Sequence, residues 1–213
     1  MIDLLEDLQK IEGIERIRLG SLEPTLITEE FVNRLKNLSK ICDHFHLSLQ
    51  SGCNETLKRM NRKYTTEQFK LSADLLREVY PNVHLTTDII VGFPNETNEE
   101  FNKTVEFLTK IKFYQMHVFK YSPREGTVAS KMPNQIDGNV KEGRSNILLK
   151  LSEENEKEYN KQYEGKDVEV LFEERDGEYL KGHTTNYMLV KYRTDEELEN
   201  TIKKVRYETE LLP

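Results

Sequence analysis

Apolar residues recur at helical spacing in four stretches of the chain: Leu4, Leu5, Leu8 and Ile11; Phe31, Val32, Leu35 and Leu38; Leu71, Leu75, Leu76 and Val79; and Phe101, Val105 and Leu108. Between them lie short runs with strand character, Arg16 to Leu19, His44 to Gln50, His84 to Val91 and Gln115 to Tyr121. Each ends in a turn signal: Gly20-Ser21, Ser51-Gly52, Gly92-Phe93-Pro94 or Ser122-Pro123. Strands alternating with helices predict parallel β/α units, so the class is α/β and residues 1–138 form either a barrel segment or an open parallel sheet. Four strands are too few to close an eight-stranded barrel.

A polar stretch from Arg124 to Gly138 leads into a long helical pattern, which predicts a connecting helix over 139–162 containing Ile147, Leu148 and Leu151. Beyond it the period changes to two. Val168, Val170 and Phe172 alternate, Gly177 marks a turn, Tyr179 to His183 and Tyr187 to Tyr192 follow, and Val205 and Tyr207 alternate near the end. Residues 163–213 therefore read as a small antiparallel β module. It is small for an independent core, so it is expected to pack on the first unit.

The charge balance is -7, with 31 Lys plus Arg against 38 Asp plus Glu, so composition gives no basic footprint for nucleic acid. The longest apolar runs fall far short of a membrane helix. The start, Met1-Ile2-Asp3-Leu4-Leu5-Glu6-Asp7, is acidic where a signal peptide is basic, which makes the cytoplasm the expected location. The two cysteines, Cys42 and Cys53, have neither disulfide-framework nor metal-site spacing and read as reduced structural thiols.

Alternation places His46, Ser48 and Gln50 on one strand face, with Thr86 and Asp88 on the same side and Phe45, Leu47 and Leu49 opposite. Barrels usually fill this face with Val, Ile and Leu. Imidazole, hydroxyl, amide and carboxylate groups predict instead a wet, ligand-holding lumen, unless they satisfy one another. Ligands of parallel sheets sit at the carboxyl ends of strands. Those ends offer Ser21 and Glu23, Gln50 and Ser51, Gly92 and Glu96, and Tyr121. Glu96-Thr97 doubles as a helix-start signal.

Read in order, Arg16-Ile17-Arg18-Leu19-Gly20-Ser21-Leu22-Glu23-Pro24, His46 to Gly52 followed by Leu57-Lys58-Arg59-Met60-Asn61-Arg62-Lys63-Tyr64-Thr65, Thr87 to Thr97, and Phe119 to Ala129 resemble the radical-SAM tRNA methylthiotransferases over essentially the whole chain. The Ser-x-Glu-Pro ending of the first strand is closer to the branch acting on threonylcarbamoyladenosine. The resemblance implies a partial parallel (β/α) radical-SAM barrel followed by a TRAM-like (OB-like) domain. It implies a parent enzyme that methylthiolates a modified adenosine beside the tRNA anticodon, using S-adenosylmethionine and two 4Fe-4S clusters. It also implies cofactor contacts from Ser21, Glu23, Gln50, Ser51, Asp88, Gly92 and Tyr121, with Arg62 available to a carboxylate or phosphate. The family's C-x-x-x-C-x-x-C cluster loop is absent here, and thiolates are the ligands such clusters need. The expectation is thus a fragment beginning inside the barrel, carrying no cluster and inactive by itself.

From Tyr163 to Pro213 eight basic residues face thirteen acidic ones. RNA contact there would have to come from a local stripe of Lys181, His183, Lys191 and Arg193, with Tyr179, Tyr187 and Tyr192 for base stacking, unless those tyrosines are core. Two other readings stand beside this one: a free-standing RNA-binding module, and a different barrel enzyme using Asp88, Glu23 and His46 or His84 for acid-base or metal chemistry. An open sheet edge also predicts self-association.

Overall fold

The computed structural model describes residues 1–208. The chain opens with α1 (Ile2–Gln9), β1 (Ile17–Leu22), α2 (Glu29–Leu35) and β2 (Ile41–Leu47), and continues with α3 (Asn54–Arg59), α4 (Thr66–Val79), β3 (His84–Val91), α5 (Asn98–Ile111) and β4 (Gln115–Lys120). The strands form one parallel sheet in the order β1-β2-β3-β4. Thr65 and Thr97 start α4 and α5 with reciprocal capping boxes, to Gln68 and Glu100. Fully buried Phe45, Leu47, Leu49, Leu85 and Ile89 form the helix-covered side of the core with Phe69, Leu76 and Leu108.

Periodicity missed α3, which is six residues long and buries only Thr56 and Leu57, too short to display a repeat. It also placed β2 too late. That strand runs from Ile41 to Leu47, and Gln50 beyond it adopts a left-handed backbone, φ 70°. Gln50 still bridges β3, its N–H donating to Asp88 O (2.8 Å) and its carbonyl accepting from Ile90 N–H (2.9 Å).

α6 (Gly138–Lys161) packs along β4. Its buried stripe is Arg144, Ser145, Leu148, Ser152 and Asn155, while Ile147 faces solvent. The reason is the β4 edge, whose backbone needs polar partners. Ser152 Oγ accepts from Met116 N–H (2.9 Å), and Asn155 Nδ2 donates to Phe113 O (3.0 Å).

The second sheet consists of β5 (Asp167–Asp176), β6 (Tyr179–His183), β7 (Leu189–Arg193) and β8 (Ile202–Arg206), antiparallel in the order β7-β6-β5-β8 and TRAM-like. Its own core joins Val168, Val170, Phe172, Leu180, Met188, Val190, Val205 and Tyr207. Gly182 permits the crossing of β5: a Cβ there would lie 2.2 Å from Leu171 O.

This module docks on the amino-terminal end of the parallel sheet through the 184–188 loop. Asn186 Nδ2 donates to Tyr163 Oη (2.7 Å) and lies 3.3 Å from His84 Nε2. Arg16 donates to His183 O (3.1 Å) and pairs with Glu169 (2.9 Å). Tyr187, left-handed at φ 68°, stacks on His183 (4.2 Å) and sits beneath the Arg18 guanidinium (4.0 Å). None of the helices among the described residues is long and apolar enough to cross a membrane.

Candidate functional site

The polar face foreseen from alternation exists, and it divides into two parts. Toward the amino-terminal end, Thr86 Oγ1 joins His44 Nε2 (3.1 Å) and His46 Nδ1 (3.0 Å). Burial depresses the His44 pKa to about 4 and that of His84 to about 3, so both are neutral imidazoles. His84 stacks on Tyr114 at 4.0 Å. These groups pack against one another and the docked loop, although the buried Nδ1 atoms of His44 and His84 have no hydrogen-bond partner.

Toward the carboxyl-terminal end lies a cavity of about 450 Å³, in the usual ligand-site range. Its walls include Gln50, Asp88, Ile90, Phe119, Tyr121 and Arg124. His46 Nε2 lies 3.3 Å from Asp88 Oδ2, and His117 packs at 5.7 Å from the His46 ring. Asp88 and His117 are register partners across β3 and β4, which aims both at one space. The Tyr121 hydroxyl is buried with no partner, while the Tyr121 ring packs edge-on against Phe93 (5.2 Å). An unsatisfied buried hydroxyl is costly, and its place in a cavity wall suits a ligand acceptor or donor. A larger depression of about 610 Å³ lies between α2 and α4, lined by Glu29, Lys36 and Glu78. It is on the outer helical layer, away from every strand end.

Of the residues expected to touch a cofactor, Gln50, Asp88 and Tyr121 converge on this cavity. Ser21 and Glu23 are not among its lining residues; they are exposed at the end of β1, the strand beside β2. Ser51 is fully buried on the helix side, its hydroxyl 3.3 Å from Thr104 Oγ1 and accepting from Cys53 N–H, and it faces away from the cavity. Gly92 is left-handed, φ 71°, and the space a Cβ would fill holds the Lys141 stem. Its N–H donates to Glu96 Oε2 (2.6 Å), which also accepts from Arg144 (2.6 Å). Glu96 and Arg144 are thus a buried structural pair that fixes the β3 turn against α6, and Glu96 is not a free ligand group. Arg124, Phe119 and His117 were not singled out by the sequence. Arg124 follows the Ser122-Pro123 turn, a position that could have marked it.

The stripe on the second module is already neutralised in large part. Lys181 pairs with Asp176 (2.6 Å), Arg193 with Glu178, and His183 Nδ1 lies 2.5 Å from Glu173 Oε2. Tyr187 has His183 on its face and Arg18 over it, so it is a wedge between the sheets and not an open stacking platform. Tyr192 packs on Phe172 at 5.8 Å.

An iron-sulfur cluster does not fit the residues present. Cys42 and Cys53 are both buried, with their thiol pKa values raised by burial, and no group of three or more His, Cys, Asp or Glu side chains among the described residues could hold a metal. The cavity instead offers an amide, a carboxylate and an unpartnered hydroxyl, from Gln50, Asp88 and Tyr121.

Comparison with known proteins agrees with the fold. Coproporphyrinogen III oxidase (HemN) from Escherichia coli, a radical SAM enzyme, superposes with a TM-score of 0.58 at 17% identity over 72% of this chain and 36% of that one. The threonylcarbamoyladenosine tRNA methylthiotransferase MtaB of Bacillus subtilis (strain 168) is 43% identical over 209 residues, covering 95% of this chain and 46% of that protein. A tRNA-2-methylthio-N(6)-dimethylallyladenosine synthase of Alkaliphilus oremlandii is 44% identical over 207 residues, covering 96% of this chain and 44% of that protein. The chain thus spans under half the length of these relatives. The family model for the radical SAM superfamily matches residues 1–108, and the chain belongs to that superfamily.

Proposed function

We propose that this chain supplies the nucleoside-binding part of a tRNA methylthiotransferase, with the cavity at the ends of β2, β3 and β4 taking S-adenosylmethionine beside a modified adenosine. The observation that carries the reading is the Tyr121 hydroxyl, buried and unpartnered in a wall shared with Gln50 and Asp88. Asp88 is suited to accept from ribose hydroxyls or an exocyclic amine, and the Gln50 amide, with no side-chain partner among the described residues, can serve either as donor or as acceptor. Ser21, Glu23, Ser51 and Gly92 enter as supports of the site's rim and turns. The cluster chemistry that S-adenosylmethionine cleavage requires needs thiolates this sequence does not contain, so the chain alone is proposed to give no turnover. Both relatives above support a tRNA substrate carrying a modified adenosine; threonylcarbamoyladenosine is the branch favoured by Ser21-Leu22-Glu23-Pro24.

On the second module, Lys181, Lys191 and Arg193 are proposed as weak RNA contacts, since phosphates would have to displace Asp176 and Glu178. Calorimetric titration with S-adenosylmethionine tests the cavity. Binding to the wild type, weakened about tenfold in Asp88→Asn and Gln50→Ala, is the expected result. No binding by the wild type rejects the reading. For the RNA contacts, affinity for an anticodon stem-loop should fall steeply with salt, and a salt-independent isotherm rejects them.

A further inference from the structure

Two histidines of β2 share one hydroxyl of β3. Thr86 Oγ1 lies 3.1 Å from His44 Nε2 and 3.0 Å from His46 Nδ1, and the second nitrogen of His46, Nε2, is 3.3 Å from Asp88 Oδ2. Thr86 and His44 are buried, which leaves little room for water to replace either partner. The chain of contacts ends on one side at Asp88, in the wall of the cavity, and on the other at Tyr187 of the docked loop, whose ring is 4.9 Å from that of His44. The other charged and titratable groups around it are His117 on β4, Arg18 on β1 and His183 of the second sheet.

The chemistry of these groups fixes where their protons are. A buried hydroxyl that accepted from both imidazoles would leave its own proton without an acceptor, so Thr86 donates to one ring and accepts from the other. A carboxylate only accepts, and a bare ring nitrogen 3.3 Å from it would set lone pair against lone pair. Asp88 therefore selects the form of His46 with its proton on Nε2. His46 Nδ1 is then bare and accepts from Thr86, which in turn accepts from His44 Nε2–H. This order leaves His44 with a bare Nδ1, and that atom is buried without a partner. The reverse order would place an N–H there, and a buried N–H with no acceptor is the rarer defect. Burial, and then the Arg18 charge, keep His44 in the neutral form that this order needs.

We infer that His46 is a positioning residue for the cavity: held by Thr86 and His44 in its Nε2–H form, it steers the Asp88 carboxylate toward a bound ligand. His46 Nε2 is buried and has no aligned hydrogen bond, so its proton attracts Asp88 by partial charge and leaves both carboxylate oxygens able to accept from a ligand. The ligand part rests on the nucleoside reading of the cavity, whereas the proton order stands on the three side chains alone.

The test uses the isotope-labelled 213-residue chain at pH 7. Long-range proton–nitrogen correlation spectra distinguish protonated from bare imidazole nitrogens, and replacing each of the five histidines in turn by glutamine assigns them. His44 and His46 should both show a protonated Nε2 and a bare Nδ1. Thr86→Val removes the hydroxyl at similar size; it should abolish the single form of His46 and weaken S-adenosylmethionine binding, read by calorimetry, about threefold to tenfold. Thr86→Ser should restore both. A role in packing alone would leave the His46 spectrum unmoved. A proton on His46 Nδ1 in the wild type, or a His46 spectrum indifferent to Thr86→Val, overturns the inference, and the wild-type spectrum decides the proton order should the valine variant not fold. A changed His46 form with unchanged affinity overturns the positioning role. Absence of S-adenosylmethionine binding by the wild type rejects the nucleoside reading and the ligand part with it, while the spectra still decide the proton order.

Discussion

At the amino-terminal end of the parallel sheet, Arg16, Arg18, His44 and His84 meet residues 183–187 through hydrogen bonds and ring contacts, with the buried Nδ1 atoms of His44 and His84 left unpartnered. At the carboxyl-terminal end the same strands present Gln50 in a left-handed backbone, Asp88 partly exposed, and a Tyr121 hydroxyl with nothing to bond. Both ends carry polar residues at lumen-facing positions. One end is covered by the second sheet, and the other opens on a cavity. A polar strand face is therefore not by itself a site, and neither is an unpartnered polar atom, since both ends contain them; the open end differs in that Gln50, Asp88 and Tyr121 line a cavity.

The largest expected effect lies beneath the open end. Arg144→Met removes the partner of buried Glu96 and should destabilise by about 3–5 kcal/mol in urea unfolding. A loss under about 1 kcal/mol would show that the open end does not depend on this pair.

Acid should act on the closed end. His44 ionises near 4 in the folded state against 6.5 when unfolded, so the unfolded chain binds the extra proton between those values. Stability is then full above pH 6.5 and falls as the pH drops toward 4, on the order of 3 kcal/mol for this group. His84, depressed further, adds to the loss, while Asp43 and Glu96, whose pKa values are raised by burial, oppose it. Urea midpoints at pH 7 and pH 5 measure the slope, and His44→Gln should flatten it. An unchanged slope in that variant would remove His44 from the account.

Asn186→Ala strips Tyr163 and Thr184 of a shared partner at the docking loop and should cost about 2 kcal/mol, with no change in nucleoside affinity. A change in affinity would mean that the two ends are coupled. The smallest effect is expected at Gln50→Gly. It relieves a left-handed backbone and should stabilise by about 1 kcal/mol while weakening ligand binding. A destabilised variant would show that the Gln50 side chain supports the fold.

The alternation of helices and strands and the switch from period 3.6 to period 2 were legible because they are local signals: Phe45-Leu47-Leu49 and Val168-Val170-Phe172 each declare a buried face directly. The convergence of Gln50, Asp88 and Tyr121 followed from one rule, that ligands lie at strand ends. Ser51 and Gly92 escaped it because a single φ change at a strand end swings the next side chain to the other side of the sheet, and nothing in Gln-Ser-Gly or Val-Gly-Phe reports φ. Tyr187 and the acidic partners of Lys181 and Arg193 were hidden for another reason. Their contacts depend on which strands pair and on how two sheets dock, and those distances are long in sequence.

α6 acts as a strut between the strand-end turns and the far side of the sheet. Its 24 residues extend about 36 Å, with Lys141 and Arg144 tied to the turn after β3 and β4 at one extremity and Tyr159 tied to Lys112 near the other. Adding or deleting one residue midway would rotate everything beyond it by about 100° and pull Ser152 and Asn155 off the β4 edge. The helix is therefore a spacer of fixed length, and natural changes in chain length should collect in the 122–137 loop before it.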